Sequence, residues 1–237
     1  MQTVLQIVQD VCARRGLPVP TSVVNSRDSQ IVQMVGLLQT VLNELVRDYQ
    51  WEALTYEATF TTVLGEDQGA MVTLAPNGFV KVITSTFFNR TRRIPFYGPL
   101  DERQWQQLKT LPNPGPYYRF RIRGGRMLFT PPGVAGESCA FEYSSDWVLA
   151  ADSTLATKYA RLVADTDVVL LDGTMVGLGL ETYWLKAKGQ DWSAEWRLWQ
   201  NALDEAKGRD ASKAVLSLDG PSNTIQPGVF VPAGSWF

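Results

Sequence analysis

The residues most able to do chemistry in this chain are carboxylates. Asp165-x-Asp167, with Asp172 close behind, offers oxygen donors of the kind that hold a hard cation. Glu142 with Glu181, or Glu57 with Glu66, offers the paired acids that glycoside cleavage requires. Neither set is specific. The aspartates lack EF-hand spacing and a glycine at the right offset, so a structural turn is the stronger reading. For the glutamates the mechanism turns on a separation that spacing along the chain does not carry. Gly124-Gly125 and Gly177-x-Gly179 do not open a phosphate loop, because the first joins two strands and the second lies in a helical pattern. Histidine is absent. That removes Ser-His-Asp and Cys-His catalysis and the commonest transition-metal ligand. Cys12 and Cys139, the only cysteines, have no CxxC spacing and read as reduced, buried thiols of a protein made in a cytoplasm. These motifs add up to no catalytic constellation, no cofactor site and no metal site.

A second kind of chemistry is electrostatic. Between Phe87 and Gly125 the chain carries Arg90, Arg92, Arg93, Arg103, Lys109, Arg119, Arg121 and Arg123 against only Asp101 and Glu102, in a protein of net charge −2. Such a concentration beside aromatics is expected to meet a neighbouring subunit, an acidic partner or a nucleic-acid backbone. The plainer alternative is a solvated strand face whose arginine stems cover apolar neighbours. From Tyr118 to Arg123 the alternation is strict, which predicts Tyr118, Phe120 and Ile122 on a core face and a ladder of Arg119, Arg121 and Arg123 on the other.

The elements that must position these groups fall into three stretches. Val4, Leu5, Val8, Val11 and Cys12 predict a helix over about residues 2 to 15, stopped by Gly16 and Pro18. Ile31, Val35, Leu38, Leu42, Leu45 and Tyr49 predict a second helix from Gln30 to Gln50, with a stripe wide enough to pack on more than one side. From Trp51 the period changes. Strands are expected over 55 to 64, 70 to 74 (a hairpin return after a turn at 65 to 69), 79 to 88, 118 to 123, 126 to 130, 139 to 143 and 146 to 149, with a short helix from Asp101 to Thr110. Residues 154 to 161 read as weakly helical and 163 to 167 as extended. Helical spacing resumes from Gly173 to Lys188, and Trp192, Trp196, Trp199, Leu203 and Ala206 make a last stripe ending at Gly208.

The expected fold is therefore α+β. Helices from residues 1–52 and 151–208 form a bundle, 53–150 form an inserted antiparallel β-rich lobe, and 209–237 form an extended C-terminal arm. The 45% hydrophobic and 19% charged composition is that of a folded soluble protein. No run approaches the roughly 18 to 20 apolar residues of a membrane span, and Met1-Gln2-Thr3-Val4 does not read as a signal peptide. The arm carries Ile225, Val229, Phe230, Val231, Trp236 and Phe237, more large apolar groups than an ordinary disordered tail, and so reads as a segment that docks on a partner.

Several segments resemble one known family. They are Phe88-Asn89-Arg90-Thr91-x-Arg93-x-Pro95, Gly98-Pro99-Leu100 and Gln104-Trp105-x-x-Leu108-Lys109, followed by Phe120-Arg121-Ile122-Arg123-Gly124-Gly125. Phe141-Glu142-Tyr143 with Trp147, Ala164-Asp165-Thr166-Asp167 before Leu170-Leu171, and Leu178-Gly179-Leu180 through Trp184 to Lys186-Ala187-Lys188-Gly189 complete the set. In order and spacing they look like the head-to-tail adaptor proteins of short-tailed bacteriophages, also called tail tubular protein A or tail accessory factors. The match covers roughly residues 30 to 207. The resemblance implies a ring, typically of twelve subunits, that sits under the portal protein, extends its DNA channel and presents a platform to the tail nozzle and often to fibres or spikes. It implies a virion location after synthesis in the host cytoplasm, no cofactor and no membrane insertion. It also implies that the arm clasps the portal, and that the basic ladder pairs with a neighbouring subunit or tail component, or else lines the DNA channel.

Two other classes remain open on the residues alone. One is a virion-associated peptidoglycan hydrolase using glutamates. The other is a nucleic-acid-binding module using the arginine ladder, including Arg90, Arg92 and Arg93.

Overall fold

The computed structural model describes residues 1–110, 115 and 117–210. Residues 111–114 and 116, and the arm from 211 onward with Ile225, Val229, Phe230, Val231, Trp236 and Phe237, lie outside the described residues. The fold is α+β.

Helix α1 (Val4–Arg14) begins at Thr3, whose hydroxyl accepts from the Gln6 N–H while Gln6 returns the bond to Thr3 N, a reciprocal cap. α2 (Ser29–Asp48) is capped by Asp28. α5 (Gly173–Ala187) starts at Asp172 and α6 (Ser193–Asp210) follows Asp191, which accepts from Ser193 N. Together they enclose one core. Val4, Val8, Val11, Met34, Leu38, Val41, Leu42, Val176 and Leu180 are all fully buried there. α6 runs two residues past Gly208, so residues 209 and 210 are helix rather than the start of an arm. Asp210 accepts from Glu52 N at 2.9 Å, and Arg209 pairs with Asp172 at 3.1 Å.

The lobe has its own aromatic core of Phe87, Phe96, Tyr118, Phe120, Phe129, Phe141 and Tyr143. Phe87 stacks on Phe96 with centroids 4.0 Å apart, and Phe96 on Tyr118 at 5.2 Å. One sheet orders β1 (Thr55–Thr61), β8 (Ser138–Ser144), β4 (Phe88–Asn89) and β5 (Ile94–Pro95), with β3 (Lys81–Val82) also on β8. A second orders β2 (Gly65–Ala70), β7 (Arg126–Gly133) and β6 (Arg119–Arg123). All strand pairs are antiparallel, as hairpin-built sheets are. α4 (Glu102–Lys109) starts at Asp101, which caps Gln104 N, and it buries Trp105.

Five expectations about elements are corrected. Residues 65 to 69 are not a turn. They are β2, which pairs with β7 through two register shifts, and Met71–Leu74 forms a helical turn, α3, in place of the return strand. The buried Gln68 explains the start of that strand: its amide bonds Val63 and Gly65 carbonyls and fixes the bend that leads into it. The expected strand at 79 to 88 is broken into β3 and β4 by the Ile83–Thr86 turn, where Thr86 donates to Ile83 O and Ser85 has φ 70°. Residues 154 to 161 are not helical, and 163 to 167 are not extended but make a turn, with Asp167 N bonded to Ala164 O at 3.1 Å. Lys158–Tyr159 (β10) and Val168–Val169 (β11) flank Leu149–Ala150 (β9) in a small sheet. Val148 and Leu149 pack into the helical core, so the last predicted lobe strand serves the bundle. Among the described residues no helix is long and apolar enough to cross a membrane.

Candidate interface site

Every candidate carboxylate except Glu142 is already engaged. Asp165 Oδ1 accepts the N–H groups of Val23 and Val24 at 2.9 and 2.7 Å. Burial pushes its carboxyl up, but Ser22 and these two N–H groups together hold it below the usual range. Asp167, fully buried, takes the Tyr159 hydroxyl and the N–H groups of Val163 and Ala164. Asp172 caps α5. The trio is turn scaffolding, and the described residues contain no cluster of three or more acidic, Cys or His side chains able to hold a metal. Glu181 is buried between Arg14 (2.9 Å) and Arg15 (2.6 Å). The Arg15 Nε lies close to its carboxylate but out of line for a hydrogen bond, and Arg15 also reaches Glu195 at 2.6 Å. Glu57 pairs with Arg90 and Glu66 with Lys109. Glu142 stands on β8 in the lobe and Glu181 on α5 in the bundle.

The arginine ladder is only partly exposed. Arg121 is 8% exposed, not part of a solvated face, because α4 lies over that side of β6 and its Glu102 takes the Arg121 guanidinium at 2.9 Å. Arg119 is half-buried and also partnered. Only Arg123 of the three is exposed without an ion pair among the described residues. Arg90 is spent on Glu57, and Arg92 on Glu137.

Where Arg92 ends, a built site begins. Glu137 is buried, and its carboxylate receives Asn89 Nδ2 at 2.7 Å and the Arg92 guanidinium. Its carbonyl receives Thr62 N at 2.9 Å and its N–H donates to Thr62 Oγ1 at 3.0 Å. Three chain segments far apart in sequence therefore meet at the end of the lobe away from the β1 start at Thr55. They are the β1–β2 bend (62–64), the β4–β5 turn (90–93) and the β7–β8 turn (134–137). The 90–93 turn is pinned from both sides: Asn89 Oδ1 accepts from Arg92 N, and Thr91 Oγ1 from Ser138 N. It holds Arg93 at φ 59°, a left-handed conformation that non-glycine residues seldom adopt. Arg93 is exposed and makes no ion pair among the described residues. Arg92 also stacks over Tyr118, 5.2 Å from its ring centre.

This charge hub shapes the chemistry beneath it. Burial, then the Glu137 charge, pushes the Cys139 thiol up to about 12, with Arg92 opposing. Above the hub three apolar residues face outward: Leu64 at 81% exposure, Val63 at 48% and Val134 at 47%. A rigid tip that shows aliphatic side chains beside an unpaired guanidinium is the composition of a contact surface. Glu137, Val63, Leu64 and Val134 were not singled out by sequence. Glu137 is 45 and 48 residues from its partners, so local spacing holds no trace of it.

No protein-family model and no curated protein matches the chain.

Proposed function

We propose that this protein is a structural head-to-tail adaptor of a short-tailed phage. It assembles as a ring, on the order of the twelve copies typical of the family it resembles, between the portal protein and the tail nozzle, and extends the DNA channel. The observation that carries the reading is where the resembling segments lie. They come from separated stretches of sequence, and their residues help hold both the lobe and the bundle together. Asn89 bonds Glu137 at 2.7 Å, Leu100 N reaches Phe120 O at 2.9 Å, and Asp101 caps the helix that buries Trp105. Gly179 lets α5 close on Trp199, and Asp165 and Asp167 tie the 163–167 turn to the N-terminal segment. Large mixed interfaces of the kind a joint needs use arginine and aromatic anchors, and the lobe supplies both.

The arm with Ile225, Val229, Phe230, Val231, Trp236 and Phe237 would dock on the portal. The protein would be made in the host cytoplasm and end in the virion neck, with the nozzle, and possible fibres or spikes, below it. Native mass spectrometry and negative-stain imaging of the protein, alone and with its phage's portal, test this. A ring with portal, lost on deleting residues 217–237, is the expected result. Full-length protein that stays monomeric beside an assembly-competent portal would overturn it.

A further inference from the structure

We propose that the lobe tip of one copy docks into the groove between α2 and α6 of the next copy, so that the ring closes through a single repeated tip-into-groove contact. This rests on the ring reading above and adds which surfaces meet.

The groove is on the bundle. Two adjoining hollows of about 570 and 250 Å³ share Glu44 and Asp48; Arg47 lines the larger, and Lys207, paired with Asp48 at 2.5 Å, lines the smaller with Trp196 and Gln200, which leaves Glu44 as the carboxylate open to a partner. Trp196 is 37% exposed, stacked edge-on against Trp192 and Trp199 at 5.7 and 5.2 Å, and so presents a rigid indole at the rim. Glu44 takes one bond from the Tyr183 hydroxyl, and a carboxylate has acceptor sites to spare. The tip offers the complement: exposed Leu64, Val63 and Val134 for the indole, and the unpaired Arg93 for the carboxylate.

Charge argues for a second copy as the occupant. Residues 53–150 carry ten Lys and Arg against eight Asp and Glu, while 1–52 with 151–210 carry eleven against fifteen. A basic lobe and an acidic bundle in one chain attract each other between copies. The two surfaces cannot meet within one copy. β1 starts and β8 ends against the helical core, where Ser145 N bonds Leu54 O, and the pair spans seven residues to the tip, roughly 23 Å at 3.3 Å per residue. Two different patches on one chain can repeat head to tail as a heterologous contact, the kind that builds a ring when its rotation closes.

The test uses two variants of the full chain. The tip variant is Leu64→Asp with Arg93→Glu, and the groove variant is Glu44→Arg with Gln200→Arg. All four side chains lie at least partly in solvent. Melting curves check folding, and Leu64→Ser or Gln200→Lys alone replaces any pair that melts early. With portal present, each variant alone should lose ring formation, with self-association weakened about tenfold or more, the scale of one anchor contact. An equimolar mixture has one intact tip and one intact groove. It should give heterodimers and nothing larger by native mass spectrometry. Variants that form rings as wild type does would overturn this contact and leave the adaptor reading standing. Loss of rings with no heterodimer in the mixture would mean that the surfaces meet the portal or another partner instead, and would also overturn it. Wild type that forms no ring with a competent portal would sink both.

Discussion

Gly179 offers a sharp test of how the bundle is packed. A methyl group there would lie 2.9 Å from Trp199 Cε2, Trp199 Nε1 and Val41 Cγ1. Helix propensity alone favours Ala over Gly inside a helix by about 1 kcal/mol. Against this stands overpacking, which costs roughly 1–3 kcal/mol in a filled core. Here the upper end applies. The indole is a rigid plane held by Tyr183 and Trp196 at 5.9 and 5.2 Å, Val41 closes another side, and Trp199 and Val41 are both buried. Gly179→Ala should therefore destabilise by about 2 kcal/mol, the difference of those two effects. Gly36, in α2, has nothing within 4 Å of the same position and is exposed. Gly36→Ala should stabilise by about 0.5–1 kcal/mol.

For a chain of this size, 1 kcal/mol moves the melting temperature by about 2–4 °C. The two variants should then separate by roughly 5–12 °C in opposite directions, followed by circular dichroism. Near-ultraviolet spectra should change in Gly179→Ala alone, because Trp199 must shift. Val41→Ala should cost less in that background than in wild type, since it vacates space the methyl needs. A Gly179→Ala protein that melts at or above wild type would refute the close approach of α5 to Trp199.

Arg121→Ala should cost about 1–2 kcal/mol, mostly through lost packing of its buried stem since Glu102 is solvated, while Arg123→Ala should stay within about 0.5 kcal/mol; urea unfolding of both measures the contrast. Tyr159 and Tyr183 are both raised to about 12, by burial first and then by their bonds to Asp167 and Glu44. Above pH 10 the unfolded chain gives up these protons while the folded one keeps them, so stability should fall between pH 10 and 12; ultraviolet phenolate titration with parallel unfolding curves reads it. Cys139, at about 12, and Cys12, raised by burial and then by Asp28, should resist a thiol reagent at pH 8 and react together on unfolding.

The bundle was legible because its burial repeats at helical spacing within single segments. Val4, Val8 and Val11, or Leu38, Leu42 and Leu45, report their own partners. The lobe was legible as strands but not as pairings. Gly65-Glu66-Asp67-Gln68-Gly69 has the composition of a turn, and nothing local shows that a buried Gln68 and the opposite β7 make it a strand. The arginine ladder was legible only as a shared face, for a related reason. Alternation shows which residues share a face, but not that α4 returns to cover one, so Arg121 looked solvated. The tip at Glu137 was invisible, since its partners come from residues 62, 89 and 92.

Density of charge along the chain is thus not density in space, and this bears on the nucleic-acid alternative. Of the eight cations between residues 87 and 125, Arg90, Arg92, Lys109 and Arg121 are neutralised by Glu57, Glu137, Glu66 and Glu102, and Arg119 is engaged. Arg93, Arg103 and Arg123 remain without an ion pair among the described residues. Each phosphate neutralised contributes about 0.9 to the slope of log binding constant against log salt. Three free arginines would limit duplex binding through this stretch to a slope of roughly −3, which is weak and easily reversed at physiological salt. Anisotropy of a labelled duplex between low and moderate salt measures it. A slope near −6 or steeper, made shallower by about 2 on replacing Arg90 and Arg92, would show that the internal ion pairs open for DNA, and that the stretch is a binding face rather than the bracing of a lobe.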